Sequence, residues 1–425
     1  MPRFNPILNM GMRFKSGVLD RRQFLHAAAT GAVALGATLW GNRLLPGHAL
    51  AFAEGVEDPL LSGRPLVRYP GKTDLILLTS RPPQLETPIK YFETAITPNE
   101  AFYVRYHIPP PTSVDLSTWR LKVTGQLDRP LELSMEDLQS KFPRTTVVAV
   151  NQCSGNGRGY FSPRVFGGQW ANGAMGNAEW TGVRLRDLLS AAGVKQGAVE
   201  VTFNGLDQPV MRTTPDFVKS LTVSRIMQDP NVLIAYQMNG QPLPLLNGFP
   251  ARLIVPGWYA TYWVKNLSEI TVLDKPFDGF WMTKAYLIPD NSCACVEPGT
   301  AAPHMVPINR MDVRSLIISP GAGERLPSGQ TAAIKGITFD GGSGIRQVEV
   351  SVDKGATWHS AKLGKDLGNY SFREWSFDWK TPQKGSYTLM SRATNRMGET
   401  QRTDPRWNPA GYMRNVIEHV EVTVA

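Results

Sequence analysis

Cys153 closes a run of small and β-branched residues, TTVVAVNQ, and opens a loop of glycines and arginines, CSGNGRGYFSPR. Such a run forms a buried strand, so the thiol stands at the strand's lip and faces the loop. Three chemistries suit a cysteine there. It can be a small buried hydrophobe, the usual fate of an unpaired thiol. It can be a nucleophile, which needs a positioned histidine or asparagine. Or it can be a thiolate ligand to a soft transition metal whose other ligands come from an organic cofactor. Gly155, Gly157 and Gly159 would let the backbone approach a bulky group, and Arg158 and Arg164 favour the thiolate form. The residues alone leave all three open.

The chain has three cysteines, which cannot all pair. Cys293 and Cys295, in NSCACVEP, are too close in sequence for an ordinary disulfide and are expected simply to be buried. No C-x-x-C-H motif offers covalent haem attachment, and no Cys/His spacing matches a zinc site. Hydrophobic content of 42% and charged content of 19% are those of a soluble globular protein. Of the formal charge of +9, residues 1–51 account for six basic residues and one acid, which leaves +4 for the rest. There is no Lys/Arg-rich run, so nucleic acid is not an expected partner. That excess suits an anionic substrate if it is focused in a cleft.

Elements must hold these residues in place. From about residue 97 to 295 strands alternate with short helices. WRLKVTGQL, AVEVTF and ARLIVP read as strands, and SMEDLQSKF as a helix capped by Ser134. WTGVRLRDLLSAAGV reads as an amphipathic helix stopped by Gly193. Residues 58–300 are thus an α+β domain. The preceding PLVRYPGKTDLILLTSRPPQLETP is proline-rich and is expected to run irregularly over the surface. Beyond residue 300 the texture is all β. IRQVEVSVDKGATWHSA places Val348, Val350 and Val352 on one face before a DKG turn, and EWSFDW and HVEVTV alternate likewise. Short strands with turns between them indicate an immunoglobulin-like sandwich over 301–425, with the boundary in VEPGTAAPHMVPINR.

The N-terminus reads as a targeting segment. LDRRQFLHAAATGAVALGATLW sets Arg21 and Arg22 before Phe24, Leu25 and a mild apolar stretch, and GHALAFA supplies small residues for signal peptidase. Residues 1–51 are therefore expected to be a twin-arginine signal peptide for export, already folded, to the periplasm. After it, no apolar run reaches spanning length, so the mature chain is expected to have no membrane span.

AFYVRYHIPPP, CSGNGRG, GAMGNAEWTGVRLRDLL, AYQMNGQPLPLLNGFPARLIVPG and WVKNL occur in that order. Together they resemble the sulfite oxidase family of molybdenum enzymes, bacterial periplasmic sulfite dehydrogenases in particular, from about residue 95 to the C-terminus. The resemblance implies that Cys153 is the single protein ligand to molybdenum, a pyranopterin dithiolene supplying two more sulfurs. It also implies that the sandwich is a dimerisation domain. In YVRYH, Tyr103 matches a cofactor contact, Arg105 the arginine beside the metal where an oxyanion must sit, and His107 a neighbouring histidine. Arg158 matches a second anion-binding arginine, its guanidinium remaining charged and offering a rigid fork of donors. Asn247 and Arg252 would bind the cofactor, with Lys265 and the backbone around Trp263 and Val264 closing on its phosphate. Asp207, in NGLDQP, matches a pterin contact or sits in a turn. Alignment to the animal enzymes puts Phe277 where a catalytic tyrosine is needed. Tyr286 is therefore the candidate, with core packing as its alternative, and Arg414 would reach the pocket from the second domain.

The implied activity is oxidation of sulfite to sulfate with molybdenum–molybdopterin as cofactor and no haem on this chain. Electrons would pass to a c-type cytochrome, as separate acceptor or as subunit, in a homodimer or a heterodimer. A sulfane dehydrogenase subunit of a thiosulfate-oxidising system shares the fold and metal centre, although that group's pattern lacks the arginine of CSGNGR. A cofactor-free periplasmic binding or assembly protein is the reading from another class.

Overall fold

The computed structural model describes residues 60–425, which belong to one compact unit. The expected signal peptide lies outside the described residues. Among the described residues no helix is long and apolar enough to cross a membrane.

Two sheets build the body around Cys153. One is ordered Lys219–Thr222, Glu200–Gly205, Leu267–Leu273, Leu121–Gly125, Leu131–Leu133, with Leu267–Leu273 parallel to Leu121–Gly125. The other is ordered Gln241–Pro242, Leu233–Met238, Met175–Arg184, Arg144–Gln152, and Arg252–Ile254 pairs with Leu233–Met238. Val123, Phe203 and Ile270 of the first share a core with Ala149, Trp180 and Ile234 of the second. Helices are few and short. Met135–Lys141 begins at Ser134, whose Oγ accepts from Asp137 N while Asp137 Oδ2 accepts from Ser134 N, a capping box.

Two departures from the sequence expectation stand out. The segment expected as a helix from Trp180 is a strand as far as Arg184, and only Leu185–Ala192 is helical, ending on Gly193 at φ +72°. The strand is paired on both edges and buried nearly throughout, so its apolar residues run continuously instead of alternating. The proline-rich stretch expected to be irregular forms three antiparallel strands, Leu66–Arg68, Asp74–Ser80 and Pro83–Glu86, joined by Val104–Arg105. Leu75, Leu85, Val104 and Tyr106 make its own small core.

The C-terminal half consists of a four-stranded and a five-stranded sheet. Ile334 and Trp375 of one pack with Val348, Val350 and Leu389 of the other, as in a sandwich. A further cluster continues across the halves, joining Val150, Met175 and Tyr286 to Leu316, Phe339 and Tyr412. Cys293 and Cys295, judged too close to pair, are joined by a disulfide. Ala294 between them lies at φ +48°, folding the chain back so that the two Cα atoms are 5.1 Å apart. They are half-buried, not buried.

Candidate active site

The strand Arg144–Gln152 ends where its hydrogen bonding to Met175–Arg184 ends, and Cys153 follows immediately. Its N–H donates to Ala174 O at 2.9 Å, and Asn156 N closes the turn on Cys153 O at 3.0 Å. The thiol is unpaired and 7% exposed. It lines one pocket with Tyr103, Arg105, His107, Asn247, Arg252, Lys265 and Tyr286, all singled out from sequence. Asn151, Ser154, Phe217, Leu246, Ala260 and Thr261 complete the lining and were not.

One wall is cationic. Arg252 is 3% exposed, and its guanidinium donates only to neutral acceptors: Asn247 O at 3.1 Å, Trp263 O at 3.3 Å and Asn151 Oδ1 at 3.3 Å. Burial pulls it down to about 10. The Lys265 ammonium lies 4.4 Å from the Tyr106 ring centroid. Burial, then the charge of Arg252, pulls it down to about 7. Asn247 is fixed from both ends. Its Nδ2 donates to Tyr103 O at 3.0 Å, and its Oδ1 accepts from the buried Lys72, which also donates to Asn99 O and Phe102 O.

The opposite wall is aromatic. His107 Nε2 is hydrogen-bonded to the Tyr286 hydroxyl, and its ring stacks 4.2 Å from Phe217 and meets Trp281 at a tilt, 4.6 Å away. Burial first, and Arg105 next, hold the imidazole well below its usual range, so it is neutral. Tyr286 sits at φ +60°, a conformation that costs a non-glycine residue energy and persists where its surroundings enforce it. Burial raises its hydroxyl above the usual tyrosine value. Phe277 is not in the lining.

Other expected residues fall elsewhere. Asp207 is buried outside the lining, its carboxyl raised to about 6 by burial against the pull of Lys265. Trp263 and Val264 are buried behind Arg252, with Val264 O accepting from Leu253 N. Arg158 is 8% exposed, not a surface residue, yet not in the lining either. Its Nε donates to Ala410 O at 2.9 Å and its Nη1 to Gly168 O at 3.1 Å. The glycines of the loop admit the chain's own side chains. A Cβ on Gly155 would lie 2.5 Å from the Arg158 guanidinium, and one on Gly157 2.6 Å from Arg414 Cδ. Arg414 does not enter the pocket. It pairs with Glu418 at 3.0 Å and lies over the Tyr160 ring, on the far side of the loop. Lys72 and Lys219, also important to the cradle, lie in PGKTD and DFVKSL, which carry no motif.

Comparison with known proteins places this geometry. The family described as oxidoreductase molybdopterin binding domain matches residues 107–281, and the one described as Mo-co oxidoreductase dimerisation domain matches 305–425. The chain is a molybdopterin oxidoreductase. It is 33% identical over 387 residues to mitochondrial sulfite oxidase of Rattus norvegicus, covering 87% of this chain and 69% of that one. It is 35% identical over 334 residues to sulfite oxidase of Gallus gallus, covering 76% and 70%. The solved structure of the sulfane dehydrogenase SoxCD from Paracoccus pantotrophus superimposes with a TM-score of 0.69 at 27% identity, over 91% of this chain and 92% of that one. The chain belongs to the sulfite oxidase family.

The residues present fit a molybdenum–pyranopterin. Among the described residues, Asn151 Nδ2 and Ser154 Oγ, beside Cys153, are buried without hydrogen-bond partners. Among the described residues, Arg105, Arg158, Arg252, Lys72 and Lys219 form no ion pair, and the pocket lining holds no carboxylate. A buried site with unpaired cations, idle polar groups and one thiol is suited to an anionic, sulfur-bearing ligand.

Proposed function

We propose that this protein oxidises sulfite to sulfate in the periplasm, after twin-arginine export, and delivers the electrons one at a time to a c-type cytochrome. The observation that carries this reading is the joining of Cys153 to a wall of buried, uncompensated cations in one pocket. When bound, the molybdenum–pyranopterin supplies a two-electron couple, so that sulfite and water give sulfate, two protons and two electrons. In this proposal Cys153 holds the metal, while Arg252 and Lys265 neutralise the cofactor phosphate. Tyr103, bound through its hydroxyl to Asn151 Oδ1 at 2.7 Å, keeps that asparagine oriented. Arg105, whose Nη1 donates to Tyr106 O, brings charge to the substrate end of the pocket. Its charge favours an oxyanion and grows in value as negative charge concentrates in the transition state. The neutral His107, joined through Nε2 to the Tyr286 hydroxyl, holds that hydroxyl at the pocket.

The likeness to SoxCD favours a second reading, oxidation of a sulfane sulfur. Arg158 in CSGNGR supports sulfite over it. One experiment tests both: molybdenum analysis of purified protein, followed by turnover with sulfite and with thiosulfate using cytochrome c as acceptor. Molybdenum-containing protein that reduces cytochrome c with sulfite supports the proposal. Protein inert to sulfite and active on a sulfane substrate overturns it.

A further inference from the structure

Lys219 opens the strand Lys219–Thr222 and is fully buried. Its ammonium donates to Trp281 O at 2.6 Å and lies 4.7 Å from the Tyr262 ring centroid and 5.2 Å from that of Tyr286. Burial alone draws it down to about 7, with no carboxylate opposing. A bare lysine in the interior is costly, so its partners bear on why it is there.

Those partners form a row. The Tyr286 ring lies parallel to Tyr412, with centroids 5.5 Å apart and planes within 2°. The Arg158 guanidinium stands 5.1 Å from the centroid of Tyr412. Two stacked tyrosines, one from each half of the chain, are thus each faced by a buried cation, and a cation over an aromatic ring is attracted by its quadrupole. The hydroxyl at the middle of the row is the one bound to His107, and its residue holds the uncommon φ of +60°. Trp281, whose carbonyl takes the Lys219 hydrogen bond, also packs against His107, with ring centroids 4.6 Å apart.

We propose that Lys219 and Tyr412 are positioning residues which, with Arg158, clamp Tyr286 and His107 and bring two further positive charges to bear on the anion pocket. The proposal rests on the reading of the pocket as an oxyanion site and names what selects for the anion beyond the lining. Lys219 and Arg158 both lie close enough to act electrostatically on His107.

The test uses molybdenum-loaded protein in four forms: wild type, Lys219→Met, Tyr412→Leu and Tyr412→Phe. Methionine fills the lysine's space without its charge, and phenylalanine keeps the ring that leucine removes. The readouts are sulfate affinity by calorimetry, sulfite KM and kcat, molybdenum content and melting temperature. The expected result is sulfate Kd and sulfite KM raised about ten-fold in Lys219→Met and Tyr412→Leu, the order of one desolvated cation–π contact. Molybdenum content and melting temperature stay near wild type, and Tyr412→Phe behaves as wild type. Unchanged Kd and KM in Lys219→Met and Tyr412→Leu overturn the clamp while leaving the sulfite reading intact. So does a Tyr412→Phe variant as impaired as Tyr412→Leu, or loss of molybdenum in Lys219→Met, which would make the lysine a cofactor ligand. A wild type that neither binds sulfate nor oxidises sulfite sinks both readings.

Discussion

Arg252 donates its hydrogen bonds to Asn247 O, Trp263 O and Asn151 Oδ1, none of which carries charge, while its ring contacts are Trp180 and Trp263. Such a guanidinium is held in place and left electrostatically hungry. Its replacement by alanine should leave a buried phosphate short of a counter-charge, at a cost of about 3 kcal/mol, or roughly a hundred-fold in cofactor affinity. Arg252→Ala is therefore expected to purify with sharply reduced molybdenum per chain and a folded circular dichroism spectrum. Full occupancy would remove Arg252 from the phosphate site. Cys153 gives the complementary outcome. Cys153→Ser keeps the cationic wall and hence much of the pterin, but loses the thiolate that sets the metal's electronics. Fluorescence of the extracted pterin should stay near the wild-type level while sulfite turnover is nearly abolished. Turnover close to wild type would show that the thiol is not the ligand.

Among the elements, a buried ion-pair triad of the C-terminal half stands at the seam, and its arginines reach Asn172 and the Tyr160 ring of the first half. Glu418, just before the strand His419–Val424, accepts from Arg314 at 2.9 Å and from Arg414 at 3.0 Å. Arg314 begins the strand Arg314–Ser319, is 1% exposed, and also donates to Asn172 Oδ1 at 2.6 Å. Burial pushes the Glu418 carboxyl up, but Arg414 and Arg314 outweigh it and hold the group below its ordinary 4.5. The folded state therefore binds this proton less readily than the unfolded chain. The stability the pair contributes is present above pH 4.5 and is lost as pH falls through the lower, folded value. Glu418→Gln should cost about 3 kcal/mol at neutral pH, since it strands a buried guanidinium. In urea titrations the wild type's advantage should shrink as the pH is taken from neutrality towards ~3. Equal stability at neutral pH would mean the triad is idle. This level of organisation was only half legible from sequence. The capping box at Ser134 and the stop at Gly193 are local devices, and both are present. The start of that second helix was misplaced because a strand buried on both faces loses the alternation that distinguishes it from a helix. The Leu66–Glu86 strands were hidden by Pro70, Gly71, Pro82 and Pro83, which punctuate turns between them. Most pocket residues within motifs were found, while Ser154 and Leu246 were passed over inside theirs. Lys219 and Tyr412 were not, because a buried cation over a ring is a relation between distant positions and leaves no local pattern; nor was Lys72, whose bond to Asn247 spans 175 positions.

For the whole molecule, the uncompensated cations make the cofactor part of the folding balance. With Arg252, Lys265, Lys219 and Lys72 all drawn down by burial, and Arg252 further opposing the charge of Lys265 and Lys72, the site without its anion contains buried cations and unmet polar groups. Cofactor-depleted protein should melt below the loaded form by several degrees, at about 1–2 °C for each ~1 kcal/mol lost, because the entropy of unfolding grows with chain length. Millimolar phosphate or sulfate should recover part of the difference, whereas chloride at equal ionic strength should not. Identical melting curves with and without cofactor would show that the cations are balanced in some other way. The clasp on the Cys153 loop carries a different consequence, one of timing. Arg158 is held by Ala410 O across 252 positions, and Met413 N reaches Ser154 O. During synthesis the loop emerges long before its clasp exists. Until the second half is made, the loop beside Cys153 lacks both of these contacts.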